Sequence, residues 1–78
     1  MITSTRSNVV FLRALRYWRE QRALSQAELA DKAGLTEQTV WNLENMKVQP
    51  RPSTTRKLAR ALGVEPSQLY GPPDEAQP

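Results

Sequence analysis

Three side-chain amides, Gln38, Asn42 and Asn45, recur at spacings of four and three within Thr36-Glu37-Gln38-Thr39-Val40-Trp41-Asn42-Leu43-Glu44-Asn45. At about 100° per residue, with Val40 at zero, they fall at roughly 160°, 200° and 140°; Leu43 and Thr36 fall at roughly 300° and 320°, beside Val40. The stretch therefore reads as a helix with an apolar stripe on one side and amides on the other. A solvated helix face is ordinarily charged, and no Lys–Glu pair stands here. An amide sets a donor beside an acceptor, which suits the edge of a base in the major groove, adenine above all. That chemistry is recognition by hydrogen bonding. Bond-making chemistry finds no support. The chain has neither His nor Cys, no serine nucleophile motif, no glycine-rich phosphate loop and no paired carboxylates on one face. Neither an enzyme, nor a zinc site, nor any cofactor is expected.

The residues before this helix are suited to position it. Ser25 can cap a first helix through its hydroxyl, and Glu28, three residues on, completes a capping box. Leu29, Ala30 and Ala33 give that helix a small inner face. Gly34 ends it, since glycine takes the left-handed conformation without steric cost. Thr36 caps the amide-bearing helix; Thr39, three residues later, supplies no carboxylate or amide to complete a box. A helix held by its apolar stripe against a preceding helix, with amides outward, has the layout of a helix-turn-helix reading element.

Leu24-Ser25-Gln26-x-Glu28-Leu29-Ala30-x-x-Ala33-Gly34-Leu35-Thr36-x-x-Thr39-Val40-x-x-Leu43-Glu44, followed by Leu58-Ala59-x-Ala61-Leu62-Gly63-Val64, resembles the Cro/repressor-type (Xre-type) helix-turn-helix domain. The resemblance runs from about Leu12 to Tyr70 and implies an all-α, five-helix, lambda-repressor-like bundle. Two positions depart from it: Met46 stands where the family usually has Gly, and Trp41 where a small or polar residue is commoner. The resemblance implies a phosphate contact for Gln26 at the start of the second helix, and backbone contacts for Asn45, Lys47 and Arg51 in the loop after the third. It also implies an ion pair between Arg19 of the first helix and Glu44 at the end of the reading helix. Gln38 and Asn42 are the base-reading candidates. Glu37 accepts from a cytosine amino group, excludes wrong sequences through a charge that phosphate repels, or answers the helix dipole. Trp41 meets a thymine methyl, packs under the following loop, or faces a partner. Thr36 is first a cap and secondarily a phosphate ligand. Thr39 bonds a phosphate or its own helix, and Arg22 lies near enough to the second helix to reach a phosphate.

Length and charge agree with a small binding module. Seventy-eight residues make one domain. The formal charge is +3; residues 1–70 hold eleven cations against six acids, a charge of +5, because Asp74 and Glu75 lie in the tail. This excess favours a polyanionic partner. No stretch approaches the roughly 20 apolar residues of a membrane span, and no signal peptide is read, which points to the cytoplasm and the nucleoid.

Residues 1–7 read as a flexible arm, 8–70 as the domain and 71–78 as a disordered tail. A first helix is expected from Ser7 or Asn8 to about Arg22, with Phe11, Leu12, Leu15 and Trp18 inward. A loop containing Pro50 and Pro52 follows the reading helix. Ser53 is expected to cap a fourth helix over 54–62, with Arg56, Lys57 and Arg60 outward, and Pro66 to open a fifth helix ending at Tyr70. The function implied is sequence-specific binding of double-stranded DNA by a prokaryotic or phage transcriptional regulator, a repressor above all, acting as a dimer on a palindrome through helix 5 and the C-terminal segment, with Leu69 and Tyr70 as contacts. Two alternatives stand beside it: an antitoxin that represses its own operon, and a helical adaptor that binds protein only.

Overall fold

The computed structural model describes residues 11–71 and, among them, contains helices and no strand. Four α-helices occur in order: α1 Leu15–Gln21, α2 Gln26–Ala33, α3 Glu37–Glu44 and α4 Pro52–Leu62. A 3-10 helix, Pro66–Leu69, follows. The arm over 1–7 and the tail beyond Gly71 lie outside the described residues, as do Ser7 and Asn8.

Caps readable from local spacing are present. The Ser25 hydroxyl accepts from the Glu28 N–H at 3.0 Å, and the Glu28 carboxylate accepts from the Ser25 N–H at 2.8 Å. The Thr36 hydroxyl accepts from the Thr39 N–H at 3.1 Å. In the capping box, the Ser25 backbone N–H, and after it the Ser25 hydroxyl, hold the Glu28 carboxyl below the usual carboxylate range. A depressed carboxyl stabilises the fold above its unfolded-state pKa, and that contribution is lost as pH falls through the folded value. Glu28→Gln keeps a box-forming side chain but removes the titration. Its melting temperature is therefore expected to fall less steeply on acidification than that of the parent; identical acid limbs in thermal melts would contradict this.

The first helix begins later than its apolar spacing predicts. Residues 13–14 form a turn and α1 starts at Leu15. The Ala14 N–H donates to the Leu69 carbonyl at 3.0 Å, and the Leu15 N–H to the Leu12 carbonyl at 3.1 Å. A tertiary bond to the C-terminal 3-10 helix thus replaces a turn of α1. The fourth helix begins earlier than predicted. Pro52 is its first residue and Arg51, in extended conformation, its N-cap; Ser53 is not the cap. Proline suits this position because its fixed φ is already helical and its missing N–H would have had no partner. The fifth element is a 3-10 helix, stopping at Leu69. It is closed by Gln68, whose side-chain oxygen accepts from the Glu65 N–H at 2.8 Å.

The core is built from Leu12, Leu15, Leu29, Val40, Leu43, Leu58, Leu62 and Leu69, all buried, with Ala30, Ala33 and Ala59 allowing the helices to approach. Trp18 is only half-buried at its edge, and its indole N–H donates to the Gln68 carbonyl at 3.2 Å. Buried Thr55 satisfies its hydroxyl on the Arg51 carbonyl at 3.1 Å.

All four α-helices close with the same pair of hydrogen bonds, around Ala23, Gly34, Met46 and Gly63. Each of these residues has positive φ, between 56° and 73°. Glycine adopts that region freely, whereas a side chain costs about 1–2 kcal/mol there. Ala23→Gly and Met46→Gly are accordingly expected to raise stability by up to about 1 kcal/mol each, since glycine's greater unfolded-state freedom offsets part of the gain. Gly34→Ala is expected to lose about 1–2 kcal/mol, although a β-carbon there would meet nothing within 4 Å. Denaturant unfolding of the three variants checks both signs.

Candidate nucleic-acid interface

α3 is locked at both ends before it presents anything to solvent. At its start, Thr36 caps it, and the Thr36 and Thr39 hydroxyls lie 2.8 Å apart. Along its inner side, Val40 and Leu43 are buried. At its end, the Glu44 carboxylate is gripped from two helices. Arg19 Nε donates to one carboxylate oxygen at 2.5 Å and Arg19 Nη2 to the other at 3.0 Å. From α2, Gln26 Nε2 donates to Glu44 Oε1 at 2.9 Å. Arg19 Nη1 donates to the Leu24 carbonyl at 2.9 Å. The two charged side chains are only 11% and 3% exposed. A two-pronged guanidinium–carboxylate contact of this kind fixes orientation as well as distance. Hydrogen bonding to Glu44 is the main reason the Arg19 pKa is raised, outweighing the desolvation that opposes it. The three helices α1, α2 and α3 are thus joined by one polar network inside the fold.

The outward side of α3 carries Glu37, Gln38 and Trp41, all exposed, with Asn42 half-buried and Asn45 exposed just beyond. Gln38 Nε2 donates to Asn42 Oδ1 at 3.1 Å, so the two amides form a continuous donor–acceptor row along the surface. Asn45 Nδ2 donates to the Trp41 carbonyl at 2.9 Å. Trp41 is 41% exposed and lines a shallow open concavity with Gln26, Glu37 and Gln38. The start of α2 and the first half of α3 thus share one surface. Thr39 is half-buried beside it, and Lys47 and Arg51 are exposed in the loop that follows α3.

Other residues singled out in the sequence are placed differently. Arg22 Nε donates to the Leu62 carbonyl at 2.8 Å, and its guanidinium lies 5.2 Å from the Trp18 ring centroid. It closes the end of α4 and stacks on an aromatic ring. Leu69 is fully buried, so its side chain offers no surface to a second subunit, whereas Tyr70 is exposed. The Gln26–Glu44 bond and the Arg22–Leu62 bond had no local signal; they join residues 18 and 40 positions apart. The left-handed Met46 did have one, in its departure from the glycine of the resembled family.

The helix-turn-helix family pattern matches residues 15–69, from the start of α1 to the end of the 3-10 helix. The chain belongs to the Cro/repressor-type helix-turn-helix family. Its fold is all-helical and lambda-repressor-like. Within this helix-turn-helix family it is 35% identical over 57 residues to the HTH-type transcriptional regulator PuuR of Escherichia coli, covering 73% of this chain and 31% of that protein. It is 36% identical over 53 residues to the immunity repressor protein of Bacillus phage phi105, covering 68% of this chain and 37% of that one. The chain thus spans about a third of the length of these relatives. Among solved structures, the restriction-modification controller protein C.AhdI of Aeromonas hydrophila superposes with a TM-score of 0.73 at 35% identity, over 80% of this chain and 94% of that one. The helix-turn-helix family to which the chain belongs is one of DNA-binding transcription regulators. Among the described residues no helix is long and apolar enough to cross a membrane, and no three acidic side chains come together as a metal site would need.

Proposed function

We propose that this domain binds double-stranded DNA sequence-specifically, with α3 in the major groove, and that it represses transcription without catalysing a reaction. The observation that carries this reading is the hydrogen-bonded row Gln38–Asn42 on the outward face of a helix whose other face is buried. Each amide can exchange its internal bond for a paired contact to an adenine edge. Glu37, at the same end, rejects sequences that bring phosphate or a further acceptor close. Trp41 supplies apolar contact to a thymine methyl or sugar. Thr36, Thr39, Asn45, Lys47 and Arg51 position the backbone and carry no sequence information. Gln26 has a double role, holding Glu44 with one hydrogen while the start of α2 faces the phosphates. Arg22 spends only its Nε on the Leu62 carbonyl and stays exposed, so its terminal nitrogens remain available to a phosphate. A single domain covers a half-site. The reading includes a dimer on a palindrome with half-sites about 34 Å apart, in which exposed Tyr70 takes part. The names of the relatives, a transcriptional regulator and a phage repressor, support this reading.

Salt dependence tests it against a protein-only adaptor centred on exposed Trp41. Binding to duplex DNA should weaken with a log–log slope of about −0.9 per phosphate neutralised. Failure to bind any duplex at low salt would remove the reading.

A further inference from the structure

The free positive charge of the domain is not concentrated around α3. Arg19 is paired with Glu44, and Arg16 with Glu20 at 3.4 Å. Four of the remaining cations line a single open groove between the end of α2 and α4: Lys32, Arg56, Lys57 and Arg60, together with Ser53. All five are exposed, and no acid lines the groove. None of the four cations has a carboxylate within 4.0 Å among the described residues. Exposed cations lining one groove raise the local positive potential, which draws anions to it.

We propose that this groove is a second DNA contact, holding the phosphate backbone of duplex outside the segment that α3 reads. The inference rests on the duplex-binding reading above and adds a surface to it. Arg56 and Arg60 stand one helical turn apart, about 6 Å along the axis, and Lys32 faces them from α2. The groove therefore offers cations from two helices to a ribbon of regularly spaced negative charge. Its remaining lining favours nucleic acid over an acidic protein. The apolar contribution is Ala33 and Ala61, which are small and largely covered. A protein interface needs a large side chain to anchor in a pocket. Phosphate binding driven by counterion release needs none.

The test compares the full chain with a variant carrying Lys32→Gln, Arg56→Gln, Lys57→Gln and Arg60→Gln, titrated over a range of salt with a long random-sequence duplex and with a duplex of the same length carrying the preferred sequence. The expected result is that affinity for both duplexes falls by the same factor. The log–log salt slope becomes shallower by about 0.9 for each phosphate no longer neutralised, while the preference between the two duplexes is unchanged. A slope equal to that of the parent overturns the proposal. So does a polyglutamate peptide that displaces duplex from the parent more effectively than an equal charge of duplex does, because an acidic protein would then be the occupant. If the fourfold variant fails to fold by circular dichroism, Lys57→Gln and Arg60→Gln alone should each flatten the slope by about 0.9, and unchanged slopes would overturn the proposal. Failure of the groove is separable from failure of α3. Parent preference with an unmoved slope removes the groove only, and a flattened slope without any parent preference removes the α3 reading only.

Discussion

Glu44→Ala is expected to cost about 3–5 kcal/mol, the penalty for removing one partner of a buried ion pair. For a domain of this size that corresponds to a fall in melting temperature of about 12 °C or more. The reason lies in the unpartnered charge. Arg19 would keep the Leu24 carbonyl as an acceptor but would hold its charge in a site where its side chain is only 11% exposed. Gln26 would be deprived of its acceptor at the same time. The net worth of the pair is a different quantity. Replacing both residues with apolar ones of similar volume, as in Arg19→Met with Glu44→Leu, should recover most of the stability, because no buried charge then lacks a partner. Thermal melts of the single and double variants separate the two quantities. A Glu44→Ala protein that melts with the parent would show that the network contributes nothing. The expected functional consequence is a loosened C-terminal end of α3.

The second large effect is on recognition. Gln38→Ala and Asn42→Ala should each lower affinity for the preferred duplex by about 1–3 kcal/mol, or roughly 5- to 150-fold, by removing one amide–base interaction. Affinity for random-sequence duplex and the salt slope should remain as in the parent, since neither side chain neutralises a phosphate. Each variant should relax the preference at its own base position. Because Gln38 and Asn42 are bonded to each other in the free domain, the two effects should not add: the amide that remains after a single substitution is also freed of its internal bond. Uniform weakening on every sequence would reassign these amides to the backbone.

Much of this arrangement was legible in the sequence, and the limits follow physical range. Ser25 with Glu28, Thr36 with Thr39, and Gly34 act over three or four residues, so spacing alone announces them. The two faces of α3 follow from its periodicity. The start of α1 was not legible, because the Ala14 N–H is claimed by the carbonyl of Leu69, far along the chain. The start of α4 was legible in principle. Pro52 reads as a breaker inside a helix but as a favourable residue at its first position, and Ser53 drew the cap to the wrong place. Arg22 has the look of a surface cation, and only the tertiary fold brings it to the Leu62 carbonyl. The groove between α2 and α4 likewise exists only once Lys32 is brought beside Arg56 and Arg60.

The most direct test of the central claim, that α3 reads sequence, is selection from random double-stranded DNA by the purified chain at moderate salt, with sequencing of what is retained. The account predicts an enriched inverted repeat, with adenines among the positions whose preference disappears in Gln38→Ala and Asn42→Ala. Retention with no enriched sequence, or no retention at all, would contradict it.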